Sequence, residues 1–275
     1  MAFSTSEFRL RCRWTRAAMV AMTLLTITLS SEETLAQESA LVFDGIDDVA
    51  TVPNTNQWPI LTSSLTVEMW VRPADLSVNE YIAMIWGGDR YGLSQRSTDT
   101  SQLAWTISRG PTDSAFTPTG ALVEGRWDHF AGTYDGVTMR IYQNGALVGQ
   151  KDHTAPGSVN VRGELLIGLW PGQPTFAGTI DEVRLWLSVR SQEQIARWMG
   201  RPLTGDEPDL VGYWRFDEGS GQVISDSSLI DNDGVRGITS SAEPEDPSWT
   251  TDAAPIAFFF DGFESGDTSA WTTTR

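Results

Sequence analysis

The chain has 275 residues, 36 acidic against 19 basic, a formal net charge of −17 at pH 7 and a single cysteine, Cys12. A surface this acidic argues against nucleic acid or an anionic membrane as partner, and one cysteine excludes a disulfide scaffold. Lys151 is the only lysine, whereas tryptophan occurs 12 times. Indoles in that number suit a β-rich core or a sugar-binding surface, and composition does not separate the two.

In chain order, residues 1–36 read as a secretory leader. Arg9, Arg11, Arg13 and Arg16 form a basic start, Ala17 to Leu29 an apolar run too short to span a bilayer, and Thr34-Leu35-Ala36 a small-residue cleavage site. Cleavage would remove Cys12 and leave 15 basic residues against 33 acidic ones. The expected location is extracellular or periplasmic, without membrane insertion. The mature chain must then rest on its core alone.

Strand signals follow. Ser64 to Val71 alternates, with Leu65, Val67, Met69 and Val71 on one face, and Pro73 ends it. Tyr81 to Trp86, Gln102 to Ser108 and Trp127 to Tyr134 read as further strands. The Asp135-Gly136 and Asn144-Gly145 pairs mark tight turns, which predicts an antiparallel meander from Trp127 to Gln150. Gly163 to Gly168 adds a strand.

The most informative stretch is Phe176 to Ile195, FAGTIDEVRLWLSVRSQEQI. Asp181 opens a strand that continues with Val183, Leu185 and Trp186. Ser191 and Gln194 then have the spacing of a capping box at the start of a short helix, which Gly200 and Pro202 close. A carboxylate at the mouth of an apolar strand needs a partner, and a hard cation is a natural one. Leu210 to Phe216 and Gln222 to Ile224 are late strands, Ser240 to Pro255 reads as a closing loop, and a polar–aromatic tail follows. Many short strands, frequent turns and one helix predict an all-β fold of two packed antiparallel sheets over residues 40–255, with residues 256–275 as a tail.

The ordered pieces LVFDGIDDVATVP, SLTVEMWVRP, WDHFAGTYDG, IYQNGALV, LLIGL, FAGTIDEVRLW and GYWRFDEGSGQVISDSS resemble the laminin-G-like jelly-roll domains of the concanavalin A-like lectin and glucanase superfamily. The resemblance runs from about Leu41 to Gly234. It implies a jelly-roll sandwich, often with a structural Ca²⁺. It also implies Asp181 as the foremost cation ligand, joined by Asp44 in the FDG turn and, more weakly, by Asp226 and Asn232. The alternative is that Asp44 fixes a turn and Asp181 caps a strand through backbone N–H groups. The family's DSSGNGN is replaced here by Asp226-Ser-Ser-Leu-Ile-Asp-Asn232-Asp-Gly. The tail, with Asp261-Gly-Phe-Glu-Ser-Gly-Asp267, resembles endings of exported bacterial proteins, as a sorting tag or a disordered extension.

For a sugar platform the candidates are Trp86, Tyr91, Trp105 and, foremost, Trp170 in the loop LWPGQP; for Trp86 and Trp105 the stronger alternative is the core, where strand aromatics of a sandwich usually lie. Aromatic faces stack on pyranose rings, and neighbouring polar groups orient the hydroxyls. Trp70, Trp127, Trp186 and Trp214 are assigned to the core. The glucanases of this superfamily carry spaced acids on one strand, and IDEV offers only adjacent ones, which alternate to opposite faces. His129 and His153 have no serine or metal partner in sequence. The expected function is non-catalytic recognition of a carbohydrate or a cell-surface partner, with no catalytic residue. A glycoside-cleaving enzyme and a structural matrix protein are the alternatives.

Overall fold

A computed structural model describes residues 38–77, 81–87, 89–169, 175–244 and 246–256. The leader 1–36, Cys12, Trp170 and the tail from residue 257 lie outside them. The strands are β1 (Ala40–Asp44), β2 (Ala50–Val52), β3 (Leu61–Thr62), β4 (Leu65–Pro73), β5 (Tyr81–Gly87), β6 (Arg90–Arg96), β7 (Asp99–Ser108), β8 (Thr112–Phe116) and β9 (Asp128–Tyr134). They continue as β10 (Thr138–Gln143), β11 (Ala146–Asp152), β12 (Val159–Asn160), β13 (Gly163–Ile167) and β14 (Ala177–Trp186). After the helix α1 (Gln192–Trp198) come β15 (Leu210–Trp214), β16 (Val223–Ile224), β17 (Gly234–Arg236) and β18 (Ser248–Thr250).

Two eight-stranded antiparallel sheets carry the fold, as the sequence pattern predicts. The first runs β11-β10-β9-β4-β14-β1-β18, with β15 also on β14, and the second runs β16-β17-β2-β13-β5-β6-β7-β8. The strand period of two sends one set of side chains between the sheets: Leu65, Val67, Met69 and Val71 from β4 meet Leu103, Trp105 and Ile107 from β7. Gly132 lies beneath the Trp105 ring, where an added Cβ would come within 2.3 Å of it. The buried indoles keep their N–H groups bonded: Trp58 to Val211 O at 3.0 Å, Trp105 to Thr133 O at 3.0 Å and Trp214 to Asn232 O at 3.2 Å.

The meander forms as expected, and Asn144 and Gly145 both take positive φ (48° and 76°), which its two-residue turn requires. Two expectations change. The stretch Ser240 to Pro255 is not only loop, because β18 within it pairs with β1 through Trp249↔Leu41. The helix has its capping box, with Gln194 N donating to Ser191 Oγ and Ser191 N donating to Gln194 Oε1. It ends on a right-handed Met199, however, and Gly200 is not among the left-handed glycines.

Strand β14 serves two neighbours along one edge: residues 177–180 pair with β1 and residues 183–186 with β15. The changeover falls on a bulge at Glu182, with φ of 54°. The bulge breaks the expected alternation. Glu182 does not turn away from Asp181; its carboxylate reaches Arg184 Nη2 at 2.5 Å and the Tyr213 hydroxyl at 2.7 Å on the outer side of the sheet.

Candidate functional site

The outer face of the first sheet is closed. Residues 187–209, with α1, lie over it, and Ile195 packs on Ala131 and Tyr142 while Trp198 packs with Trp186, Leu203, Leu210 and Tyr213. Side chains of the sheet hold this roof by its carbonyls: Trp70 Nε1 donates to Met199 O, and Arg184 donates to Trp198 O and Arg201 O. Beneath it Glu68, His129 and Arg184 are buried together. His129 Nε2 lies 3.5 Å from Glu68 Oε2, and Trp186 Nε1 donates to Glu68 Oε1 at 2.9 Å. Burial raises the Glu68 carboxyl, and burial plus the Arg184 charge pushes His129 well below 6.5, so the imidazole is neutral. Although burial opposes its charge, Arg184 is held protonated by Glu182 and Glu68. The group is a buried network that ties the sheet to the roof.

The indoles assigned to the core divide. Trp214 lies between the sheets, Trp70 and Trp186 are buried on the other side under the roof, and Trp127 is only half-buried, beneath the Arg72 guanidinium at 5.3 Å. His153 is buried and accepts from Ala155 N at 3.0 Å.

The four cation candidates do not converge. Asp44 and Asp181 are four residues apart in register, Asp44 lying opposite Ala177, which is about 13 Å along the strand. Asp181 is buried and accepts from Glu182 N at 2.9 Å and Ala254 N at 2.8 Å, so it ties the closing segment to β14. Asp226 accepts from Tyr213 N, Ser228 N, Ser228 Oγ and Asn232 N. Asn232 in turn donates to Pro53 O. That loop is saturated by its own donors and does not fit a metal shell. Asp44 has different company: its carboxylate and those of Asp47 and Asp48 offer oxygens all within 4.8 Å of one another. Burial raises Asp48 to about 6, and Asp44, Asp47 and Asp246 add to the shift, while a hydrogen bond from Asp44 N opposes it. Three oxygens so close fit the hard-cation chemistry of Ca²⁺. The doubled aspartate of DGIDD was the available signal for Asp47 and Asp48.

Two aromatic candidates are corrected. Tyr91 and Trp105 are fully buried in the core, edge to face with centroids 6.5 Å apart. The Tyr91 hydroxyl donates to Val161 O, and neither ring reaches a ligand. Their strands alternate, so it is the residues between them that face outward.

Those residues make the outer face of the second sheet, which the described part of the chain leaves without a roof like that of the first. One cross-strand row runs Glu164, Trp86, Arg90, Ser108 and Thr112, set by the pairs Glu164↔Trp86, Arg90↔Ser108 and Ser108↔Thr112 and by Ile85↔Tyr91 between them. The next row carries Leu166, Met84, Gly92, Thr106 and Ser114. A third places Ser94, Ala104 and Phe116 side by side. Gly92, Ser94 and Ala104 face outward by register and are nonetheless buried, so this part of the face carries only small side chains. Phe116 stands exposed at its far end, with the Arg96 guanidinium 4.5 Å from its ring centre. By register Trp86 falls in the first row, and Arg90, Arg96, Phe116 and Glu164 join it on this face, their only signal in the sequence being alternation with core residues.

An antiparallel two-sheet sandwich with one face roofed and the other hollow defines a lectin-like jelly roll. The chain belongs to the concanavalin A-like lectin/glucanases superfamily, through the laminin-G-like family model that matches residues 44–196. It is similar to the crystal structure of a putative carbohydrate binding protein from Bacteroides ovatus, at 24% identity and a TM-score of 0.62, over 80% of this chain and 61% of that one. The chain thus spans about three fifths of that protein's length. It is also similar to domain 4 of an extracellular arabinanase from Geobacillus stearothermophilus, solved with arabinotriose, at 19% identity and a TM-score of 0.48, over 57% and 75% of the two chains. Domains LG4-5 of the mouse laminin alpha1 chain match at 16% identity and a TM-score of 0.45, over 54% and 41%. No curated protein sequence matches the chain. Among the described residues no helix is long and apolar enough to cross a membrane.

Proposed function

We propose that the chain is a secreted, non-catalytic recognition domain that binds carbohydrate on the outer face of its second sheet. The observation that carries this reading is the register row Glu164, Trp86, Arg90, Ser108, Thr112, which brings an aromatic position beside an acid, a base and two hydroxyl positions, with the exposed ring of Phe116 two rows along. That is the chemistry a pyranose asks for: a flat apolar surface with hydrogen-bonding groups at its rim. Glycoside cleavage needs two carboxyl groups flanking one bond. Among the described strand positions of this face, register supplies two acids, Glu164 on β13 and Asp99 opposite Arg96, three strands apart and at opposite ends of the rows, so they do not flank one bond. Secretion rests on the leader pattern of residues 1–36.

The test is a glycan array read with the wild-type chain and with Trp86→Ala. Binding that falls at least tenfold in the variant, with an unchanged melting curve, supports the reading. A blank array, or binding indifferent to Trp86, overturns it.

The structural Ca²⁺ expected from the family is carried forward in a narrower form, at the Asp44–Asp48 loop. A bound ion would offset the mutual repulsion of its carboxylates and would pin the link between β1 and β2. Calcium should raise the melting temperature and EDTA lower it, and Asp47→Asn should abolish the difference. A melting temperature indifferent to both removes the ion from the account.

A further inference from the structure

Resting on the carbohydrate reading, we propose that the occupant of this face is an uncharged glycan chain, lying along the β7–β8 hairpin and stacked at one end on Phe116. The hairpin sets three cross-strand pairs outward: Ser108 with Thr112, Thr106 with Ser114, and Ala104 with Phe116. Thr112 and Phe116 are four residues apart on β8, about 13 Å along the strand. That length exceeds a single sugar ring and suits a short run of a polysaccharide.

Two hydroxyl pairs lead up to the ring. The Thr106 and Ser114 hydroxyls lie 2.8 Å apart, and so do those of Ser108 and Thr112. Each pair spends one O–H on itself and keeps one donor together with acceptor lone pairs. A sugar hydroxyl donates and accepts, so it can use both kinds. A carboxylate or sulfate oxygen only accepts, and would leave the acceptors of each pair unmatched. Beside the hairpin, Gly92 lies next to Thr106 and Ser94 next to Ala104, all with small side chains.

The charges of this face are already matched. Arg90 and Arg96 are balanced in number by Glu164 and Asp99. Asp99 stands opposite Arg96 in register and accepts from Ser101 N, Ser101 Oγ and Thr119 Oγ1, and Arg90 has a partner of its own. Arg96 is engaged in a further way. Its Nη1 donates to Gln102 Oε1 at 2.5 Å, Gln102 Nε2 donates to Thr117 O at 2.6 Å, and the guanidinium lies 4.5 Å from the centre of the Phe116 ring. Gln102 is buried, so this relay fixes the guanidinium against the ring, which is still 37% exposed and keeps surface for a pyranose. Arg96 is a positioning residue for Phe116 rather than an anion contact. The net charge of −17 adds long-range repulsion against any polyanion.

The experiment is calorimetry with cellohexaose, xylohexaose, mannohexaose and hexagalacturonate, at low and at high salt. One of the neutral hexasaccharides should bind at least tenfold tighter than hexagalacturonate, with an affinity that salt changes by less than about twofold. Phe116→Ala should weaken that binding at least tenfold at an unchanged melting curve, and Ser114→Ala about fivefold. Arg96→Met keeps an unbranched apolar chain beside the ring and should stay within about threefold of the parent, whereas Arg96→Ala should lose at least tenfold. If Arg96→Met loses as much as Arg96→Ala, the guanidinium itself meets the sugar and the positioning role is wrong. If hexagalacturonate binds more tightly than the neutral oligomers, or salt weakens binding, the uncharged occupant is wrong while the carbohydrate reading stands. The reading also survives, without the hairpin site, if Trp86→Ala abolishes binding that Phe116→Ala and Ser114→Ala leave intact. If no neutral hexasaccharide binds, the proposal fails, and the glycan array decides the carbohydrate reading separately.

Discussion

The outer faces of the two sheets are built from the same alternating strands and have opposite fates. The first is sealed under residues 187–209 and spends its polar residues on itself, with Arg184 between Glu68 and Glu182. The second keeps glycine, alanine, serine and threonine at outward positions and sets Arg96 beside Phe116 at the rim. Glu68, His129 and Asp181, each shifted by burial, lie packed inside the protein, and the outer face of the second sheet carries small residues and the exposed ring of Phe116.

That contrast can be broken by substitution. On the sealed face, Arg184→Met removes the buried cation shared by Glu68 and Glu182, leaving Glu182 only Arg215, and should cost about 3–5 kcal/mol in urea denaturation, leaving glycan affinity of the folded fraction unchanged. Between the sheets, Gly132→Ala drives a methyl group into the Trp105 ring and should cost about 1–3 kcal/mol. Ser191→Ala removes the helix cap and should cost about 1 kcal/mol, with faster hydrogen exchange confined to the roof. On the open face, Thr106→Ala should stay within about 0.5 kcal/mol of the parent while weakening glycan binding. A variant of the sealed face that changes affinity at unchanged stability would erase the distinction.

The smallest effect concerns pH. Lys151, 2.5 Å from the buried Asp113, and the hydrogen bonds from Thr154 hold that carboxyl below its ordinary 3.8. A depressed folded pKa gives stability that is present above the unfolded value and is lost as pH falls below it. The acid limb of a melting-temperature profile below about pH 4 should therefore be shallower in Asp113→Asn, which has already lost the ion pair at neutral pH. An unchanged limb would assign acid sensitivity to other carboxylates.

Much of the fold could be read from the chain. The alternation of Leu65, Val67, Met69 and Val71, the Asn144-Gly145 turn and the Ser191–Gln194 box are local signals, and each reappears in the structure. The site was far less readable, because facing is a property of register. Tyr91 and Trp105 look like platform residues in a linear string, and the pairing of β6 with β5 and of β7 with β6 and β8 turns both inward. Phe116 looks like an ordinary core aromatic and is turned outward. Glu182 breaks the period of two through a bulge that no local pattern announces. Asp181 and Asp44, coupled by family resemblance, are separated by the antiparallel offset of β1 and β14.

The most direct test is a hydrogen–deuterium exchange footprint of the bound oligosaccharide. Protection should concentrate in β6, β7 and β8, over residues 90–116, and leave residues 187–209 at their unliganded rates. Protection of 187–209, with residues 90–116 unchanged, would contradict the assignment of recognition to the open face.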